Sequence, residues 1–239
     1  MINKKSMCYF QRNGDFMKTN LVSLKDSTLF ANISILDLQK LCICLSAHEK
    51  IYPKDSFIFR AGDPVRSVYL IISGNLHIID EDFWGNRSII ETMNKNILFG
   101  EAYVFSSRQT QLVSVIAAQD SVILEMDPMR LFEDCSNSCS CHTQLIRNTL
   151  EIVSEKIVRL TEKLGHVSMR TTREKLFSYL SKCARYAKSN SFDIPYSRQQ
   201  LADYLCVDRS ALSHELSKMQ MDGLIRYRKN HFELLRDEI

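Results

Sequence analysis

Several absences narrow the reading of this 239-residue chain before any motif is considered. No apolar run approaches the ~18 residues that a membrane helix needs, and no signal-peptide pattern opens the chain, so a soluble cytoplasmic protein with no membrane partner is expected. No His-x-His occurs, and between residues 49 and 126 the only histidine is His77. A cupin-type metal held by histidines and a glutamate therefore lacks its ligands. No Gly-rich phosphate loop, Ser/His/Asp set or pair of carboxylates stands out. No catalytic residue, metal ligand or cofactor is assigned, and the chain is read as a non-enzyme. The eight cysteines are spaced irregularly along a long chain and read as free thiols rather than a disulfide framework. Strong net charge is missing too, at +3 overall. It is unevenly placed, however. From Met169 onward there are 13 Lys and Arg against 9 Asp and Glu, whereas the preceding 168 residues carry 18 and 19. A positive C-terminal part suits a polyanionic partner.

That part contains the most informative stretch, Ser197 to Gly223. Ser197 and Gln200 have the spacing of a capping box, opening a helix with Leu201, Ala202 and Leu205 on one face. Cys206-Val207 makes a turn, and Asp208 stands where it can cap a second helix carrying Leu212, Leu216 and Met219 on its buried face. Gly223 occupies the place of a left-handed C-terminal cap. The other face of the second helix presents Arg209, Ser210, Ser213, His214 and Lys218, polar and small where a core helix would be apolar. This is the pattern of a helix-turn-helix whose second helix enters the major groove of double-stranded DNA. Leu224 to Leu235 then alternates apolar and polar about Lys229-Asn230, predicting a hairpin wing with a basic tip. Ser197, Arg198, Arg228 and Lys229 join the candidate DNA contacts, and Arg226 is also expected near phosphates.

Upstream, residues 1–20 are polar and aperiodic and read as a loose arm. Leu21 to Ala47 is helical in pattern, in two short segments. Between Glu49 and Met126 eight short apolar or alternating runs are separated by turn residues such as Gly62-Asp63-Pro64 and Gly74-Asn75, predicting a small antiparallel barrel or roll. A long helix follows. Ile146, Leu150, Val153, Ile157, Leu160 and Leu164 are spaced 4, 3, 4, 3 and 4, an a/d seam for a parallel two-stranded dimer contact. A two-fold dimer would present two recognition helices to successive major grooves of a palindromic operator. Gly165 is expected to end the seam as a hinge, and Arg173 to Ala187 forms one more helix. The domains expected are a roll at 21–141, a dimerisation helix and hinge at 142–168, and a winged helix-turn-helix at 169–239. The fold class is α+β, with an antiparallel jelly-roll-like sensor domain.

Roll, dimer helix and winged helix-turn-helix, in this order, resemble the Crp/Fnr family of bacterial transcription regulators. The resemblance covers roughly residues 21–235. It rests on Leu29-Phe30, Ala61-Gly62-Asp63, Ile72-Ser73-Gly74, Gly85-Asn86-Arg87, Phe99-Gly100-Glu101 and Asp208-Arg209-Ser210-Ala211-Leu212-Ser213. It implies a homodimer in which an effector in the roll biases the DNA-binding domains allosterically, with RNA polymerase as a further partner. The implied effector pocket comprises Gly100, Glu101, Ala102, Gln111 and Leu112, and the small-molecule effector itself is unknown.

In cyclic-AMP-binding members the Glu of the Gly-Glu pair holds the ribose hydroxyl, and the Arg of an adjacent Arg and Ser about ten residues on neutralises the phosphate. Gly100-Glu101 is intact here, but Gln111 and Leu112 replace Arg and Ser. An anion buried without a cation costs on the order of several kcal/mol, so cyclic AMP is not expected to bind in the usual way. Arg108 is close in sequence and is the one candidate to substitute, although it is expected at the turn. In the recognition helix Arg209 matches a family position that reads guanine. Ser210 replaces a common Glu and His214 a common Arg, which implies an operator unlike the usual one. Cys206 replaces a common glycine, where a positive φ would be strained.

Three alternatives differ from this reading. Cys135, Cys139, Cys141 and His142 could hold a metal or sense redox state, and His77 could be a haem ligand, giving a redox- or haem-linked regulator of the same fold. Cys42 and Cys44, among apolar residues, read as buried filler. The third alternative is a small-molecule-binding adaptor that does not touch DNA. The intact helix-turn-helix and the basic wing argue against it.

Overall fold

The structure is a computed structural model that describes residues 21–64, 66–85, 87–107, 110–131 and 140–235. The arm at 1–20, Arg108, Cys135 and Cys139 lie outside the described residues. Two compact units, Met1–Val153 and Ser154–Ile239, divide the chain.

The first unit opens with α1 (Leu21–Leu24), a 3-10 turn at Thr28–Phe30 and α2 (Ile35–Cys44). Ser27 and Ser34 cap the latter two, accepting from the Leu29 and Asp37 amides. All eight runs read as strands are strands: β1 (His48–Tyr52), β2 (Phe57–Phe59), β3 (Val68–Ser73), β4 (Leu76–Glu81), β5 (Arg87–Met93), β6 (Leu98–Phe99), β7 (Ser114–Ala117) and β8 (Ser121–Met126). They form two antiparallel sheets, ordered β1-β8-β3-β6 and β2-β7-β4-β5.

The period of two explains the layering. On β3, Val68, Leu70 and Ile72 face a cluster with Leu24, Phe30, Leu38, Leu41 and Leu45 from the helices. The alternate residues Tyr69 and Ile71 face a second cluster between the sheets, with Phe59, Leu76, Phe99 and Val115. β8 divides likewise, Leu124 and Met126 to the helices and Ile123 to the inter-sheet core. A strand buried on both faces reads as a continuous apolar run, as Val68 to Ile72 does. The sequence did not reveal α3 (Glu101–Val104), a single turn entered through Gly100.

The helix α4 (Ser140–Val167) has 28 residues, about 42 Å at 1.5 Å per residue. It runs on through Gly165, where the sequence predicted an end. The contacts of its last turns account for this. Lys182 of α5 (Thr172–Ala187) pairs with Glu162 at 2.8 Å, and the Tyr186 hydroxyl donates to the same carboxylate. His166 is buried, 2.7 Å from the Ser178 hydroxyl and edge-on to Tyr179. These contacts offset the roughly 1 kcal/mol that a mid-helix glycine costs. α5 starts at the Thr171/Glu174 capping box.

Burial, and next the nearby Lys182 ammonium, hold the His166 pKa below the usual imidazole range, while Glu162 opposes them. The folded state thus keeps His166 neutral, and the unfolded chain takes up a proton below about pH 6.5. Its stabilising contribution is present in full above that pH and declines as pH falls toward the depressed folded value. In urea unfolding, the stability gap between wild type and His166→Gln should therefore be wider at pH 7.5 than at pH 5.5. A gap that stays constant or widens on acidification contradicts the assignment.

Candidate nucleic-acid interface

In the second unit, α6 (Arg198–Leu205) begins at the capping box read from the sequence. The Ser197 hydroxyl accepts from the Gln200 amide at 3.3 Å, and the Gln200 side chain accepts from the Ser197 amide at 2.9 Å. At its C-terminus Lys175 donates to the Leu205 and Cys206 carbonyls at 3.1 and 3.3 Å, a cation on the negative end of the helix. Cys206 sits at φ 51°, the strained left-handed position expected there. Such a position costs a non-glycine residue roughly 1–2 kcal/mol.

α7 (Arg209–Met221) follows. Asp208 is its N-cap by backbone position, but its side chain makes no capping hydrogen bond, contrary to the sequence expectation. Leu212, Leu216 and Met219 are fully buried against Leu176, Leu180, Leu201, Leu205, Ile225 and Phe232. Arg209, Ser210, Ser213, His214 and Lys218 share the exposed side. Gly223, at φ +69°, closes the helix as expected, and Leu224 donates back to the Met219 carbonyl at 3.0 Å.

The hairpin is β10 (Ile225–Arg228) and β11 (His231–Leu234), turning at Lys229-Asn230 with Arg228 opposite His231. A third strand, β9 (Ser191–Asp193), pairs with β11. Sequence reasoning missed it because three residues, Ser-Phe-Asp, are too short to show a period.

Two predicted roles change. Arg198, expected to reach DNA, is half-buried. Its guanidinium lies 5.0 Å from the ring centroids of both Tyr227 and Phe232 and donates to the Lys229 carbonyl at 2.5 Å. Burial lowers its pKa from the usual guanidinium range. It braces the wing turn, where Lys229 takes φ 53°. Arg226, expected at phosphates, is spent on Glu233 across the strands at 2.9 Å. Arg209, Lys218, Arg228 and Lys229 are exposed and make no ion pair with the described residues. Arg228 and Lys229 line a cleft with Asp193, Ser197, Arg198, Asn230 and His231.

The sequence showed no Ser/His/Asp set, yet the wing brings one together. Ser191 Oγ lies 3.0 Å from His231 Nε2, and His231 Nδ1 3.1 Å from Asp193 Oδ1. The register places His231 opposite Asp193 and Glu233 opposite Ser191. The Asp193 side chain is 80% exposed, so water screens it, and the relay laces β9 to β11.

In the roll, the five expected pocket residues differ in exposure. Glu101 and Gln111 are buried, Gly100 is half-buried, and Ala102 and Leu112 are exposed, Leu112 by 62%. Leu112 is thus largely open to solvent in the single chain. Gly100 has φ +86°, and a Cβ there would meet the Tyr69 ring at 2.9 Å. Gln111 is 2% exposed, with neither its amide oxygen nor its amide nitrogen hydrogen-bonded. A neutral, unsatisfied amide stands where the family pattern puts a phosphate-binding arginine.

The other candidate ligands among the described residues sit as follows. His77 meets its cross-strand neighbour Thr92 at 3.0 Å. Cys42 is buried and its thiol pKa is pushed up to about 12, first by burial, which suits inert filler. Cys44 is half-buried. Cys141 and His142 are buried at the start of α4. Among the described residues, no three His, Cys, Asp or Glu side chains are grouped to hold a metal.

A two-sheet antiparallel roll, a long helix and a winged helix-turn-helix define the architecture of a DNA-binding regulator. Family models agree: the cyclic nucleotide-binding domain matches residues 49–137, and the Crp-like helix-turn-helix domain residues 174–238. The chain belongs to the Crp/Fnr family of transcription regulators. It is 24% identical over 187 residues to the CRP-like protein Clp of Xanthomonas euvesicatoria pv. vesicatoria (strain 85-10), covering 76% of this chain and 81% of that one. Two solved structures share the fold. One is the catabolite activator protein of Thermus thermophilus, at 20% identity and TM-score 0.50 over 87% of this chain and 93% of that one. The other is the c-di-GMP responsive global regulator CLP of Xanthomonas campestris, at 21% identity and TM-score 0.52 over 82% and 98%. Among the described residues no helix is long and apolar enough to cross a membrane.

Proposed function

We propose that this chain is a homodimeric, sequence-specific, non-enzymatic regulator of transcription in the cytoplasm. The observation that carries the reading is the exposed polar side of α7, with Arg209, Ser210, Ser213, His214 and Lys218 on a helix whose opposite side is fully buried. Arg209, near the N-terminus of α7, reads a base edge, while Arg228, Lys229 and Ser197 contact phosphates.

The dimer reading rests on α4. Leu150, Ile157, Leu160 and Leu164 are 61%, 59%, 66% and 65% exposed in the single chain, although they lie on one heptad seam. Four apolar side chains in a row are costly to leave in water, and a second copy of the same helix buries them. Val153 is half-buried. Ile146 packs against the core of the first unit instead, so the seam proper starts at Leu150.

Residues 21–141 serve as sensor, 142–168 as dimerisation helix and 169–239 as DNA-binding domain. An effector in the roll near Glu101 and Gln111 biases the dimer between two arrangements. Gln111 argues against cyclic AMP held in the usual way. The dimer meets a palindromic operator and, on DNA, RNA polymerase.

Salt dependence tests DNA binding directly. Binding that releases counterions weakens linearly in log[salt]. Lys229→Ala should weaken operator and random duplex alike and reduce the slope by about one. A Lys229→Ala protein that loses affinity for one sequence only contradicts the phosphate role of the wing tip. Salt-independent retention contradicts the whole reading.

A further inference from the structure

The base-reading helix carries a liability on its inner side. Glu215, mid-helix, and Asp222, its C-cap, add two carboxylates to an element that must lie against phosphates. Both meet one cation from another helix. Arg173 of α5 donates through Nε to Glu215 Oε1 at 2.5 Å and through Nη2 to Asp222 Oδ2 at 2.7 Å. The Arg173 side chain is 32% exposed and that of Glu215 17%, so the pair is partly shielded from water. Glu215 and Asp222 are seven residues apart, two turns and about 10.5 Å along the axis. One planar guanidinium that ties together two carboxylates rooted two turns apart on α7 resists both rotation and sliding of α7 against α5. The leucines beneath α7 constrain it less sharply, because apolar contacts are non-directional.

We infer that Arg173 is a positioning residue for DNA reading: it sets the rotation and axial placement of α7 against α5, so that Arg209, Ser210 and Ser213 meet base edges. It touches no base itself. This rests on α7 being the base-reading helix. A small misplacement of the helix would cost base contacts more than phosphate contacts, because two-pronged base hydrogen bonds are directional and phosphate attraction is not.

The experiment uses the full-length protein, the duplex that wins selection from random DNA, and a random-sequence duplex at one salt concentration. Two variants are compared with wild type: Arg173→Gln, and Glu215→Gln with Asp222→Asn in one chain. Arg173→Gln should lose tenfold or more on the selected duplex and less than threefold on the random one. The double variant is the more telling. Removing two negative charges should strengthen random-duplex binding, while the loss of the clamp lowers the ratio of selected to random affinity at least threefold. A purely stabilising role predicts equal losses on both duplexes that track the melting temperature, and that result overturns the proposal. If Arg173→Gln does not fold, the double variant decides alone. A wild type with no preference for any duplex overturns the base-reading role of α7, and this inference with it. A wild type that prefers its duplex, with variants that keep the full ratio, overturns only the role of Arg173.

Discussion

Leu160→Asp is expected to turn the dimer into monomers at micromolar concentration and to abolish operator binding at concentrations where wild type saturates. Leu160 is 66% exposed in the single chain and lies mid-seam between Ile157 and Leu164. Burying a leucine against a partner helix contributes about 1.5–3 kcal/mol, and the substitution removes that from both copies. It also brings two carboxylates together in a drying interface, where each unpaired charge costs several kcal/mol more. A total on the order of 5 kcal/mol or more raises the dimer dissociation constant by over three orders of magnitude. Operator binding falls with it, since half-sites held one at a time forgo the avidity of two linked modules. Light scattering at known concentration reads the mass, and the mobility of the operator complex reads the binding. Leu160 is exposed in the monomer, so the fold of each unit should survive, and circular dichroism should be unchanged. Dimers persisting in this variant would remove the coiled-coil contact from the account.

Arg209→Ala should cost about 1–3 kcal/mol per half-site and relax the preference at a single base pair in each half. Arg209 is the first residue of α7, exposed and without an ion pair among the described residues, so truncation leaves no buried charge behind. The effect must be local in sequence space. A panel of single-base operator variants should all weaken for wild type, whereas the variant becomes indifferent at one symmetric pair of positions. Uniform weakening across the panel would make Arg209 a phosphate contact and displace the reading register along α7.

The features legible in the sequence are those set by local rules. The capping box at Ser197, the left-handed turn at Cys206, the close at Gly223 and the eight roll strands follow from spacing and turn chemistry within a few residues. What escaped depends on contacts between residues far apart. Arg198 looked like a DNA contact because a basic residue after an N-cap is ordinarily exposed. Tyr227 and Phe232, about thirty residues on, draw it onto their faces. Gly165 looked like a hinge because glycine weakens helices, but Lys182 and Ser178 of α5 hold the last turns of α4. Arg173 gave no signal at all, because its partners lie 42 and 49 residues away. The seam is a period in the sequence, yet Ile146 obeys that period and still packs inside its own unit.

The central claim is sequence-specific binding by a two-fold dimer. The most direct measurement is selection of random double-stranded DNA by purified, reduced, ligand-free protein, followed by affinity measurement on the winner with and without cyclic AMP. The account predicts an inverted repeat whose half-sites are one helical turn apart, and an affinity that cyclic AMP leaves unchanged. Enrichment of a single unrepeated site would contradict the two-fold dimer, and tightening by cyclic AMP would contradict the reading of Gln111.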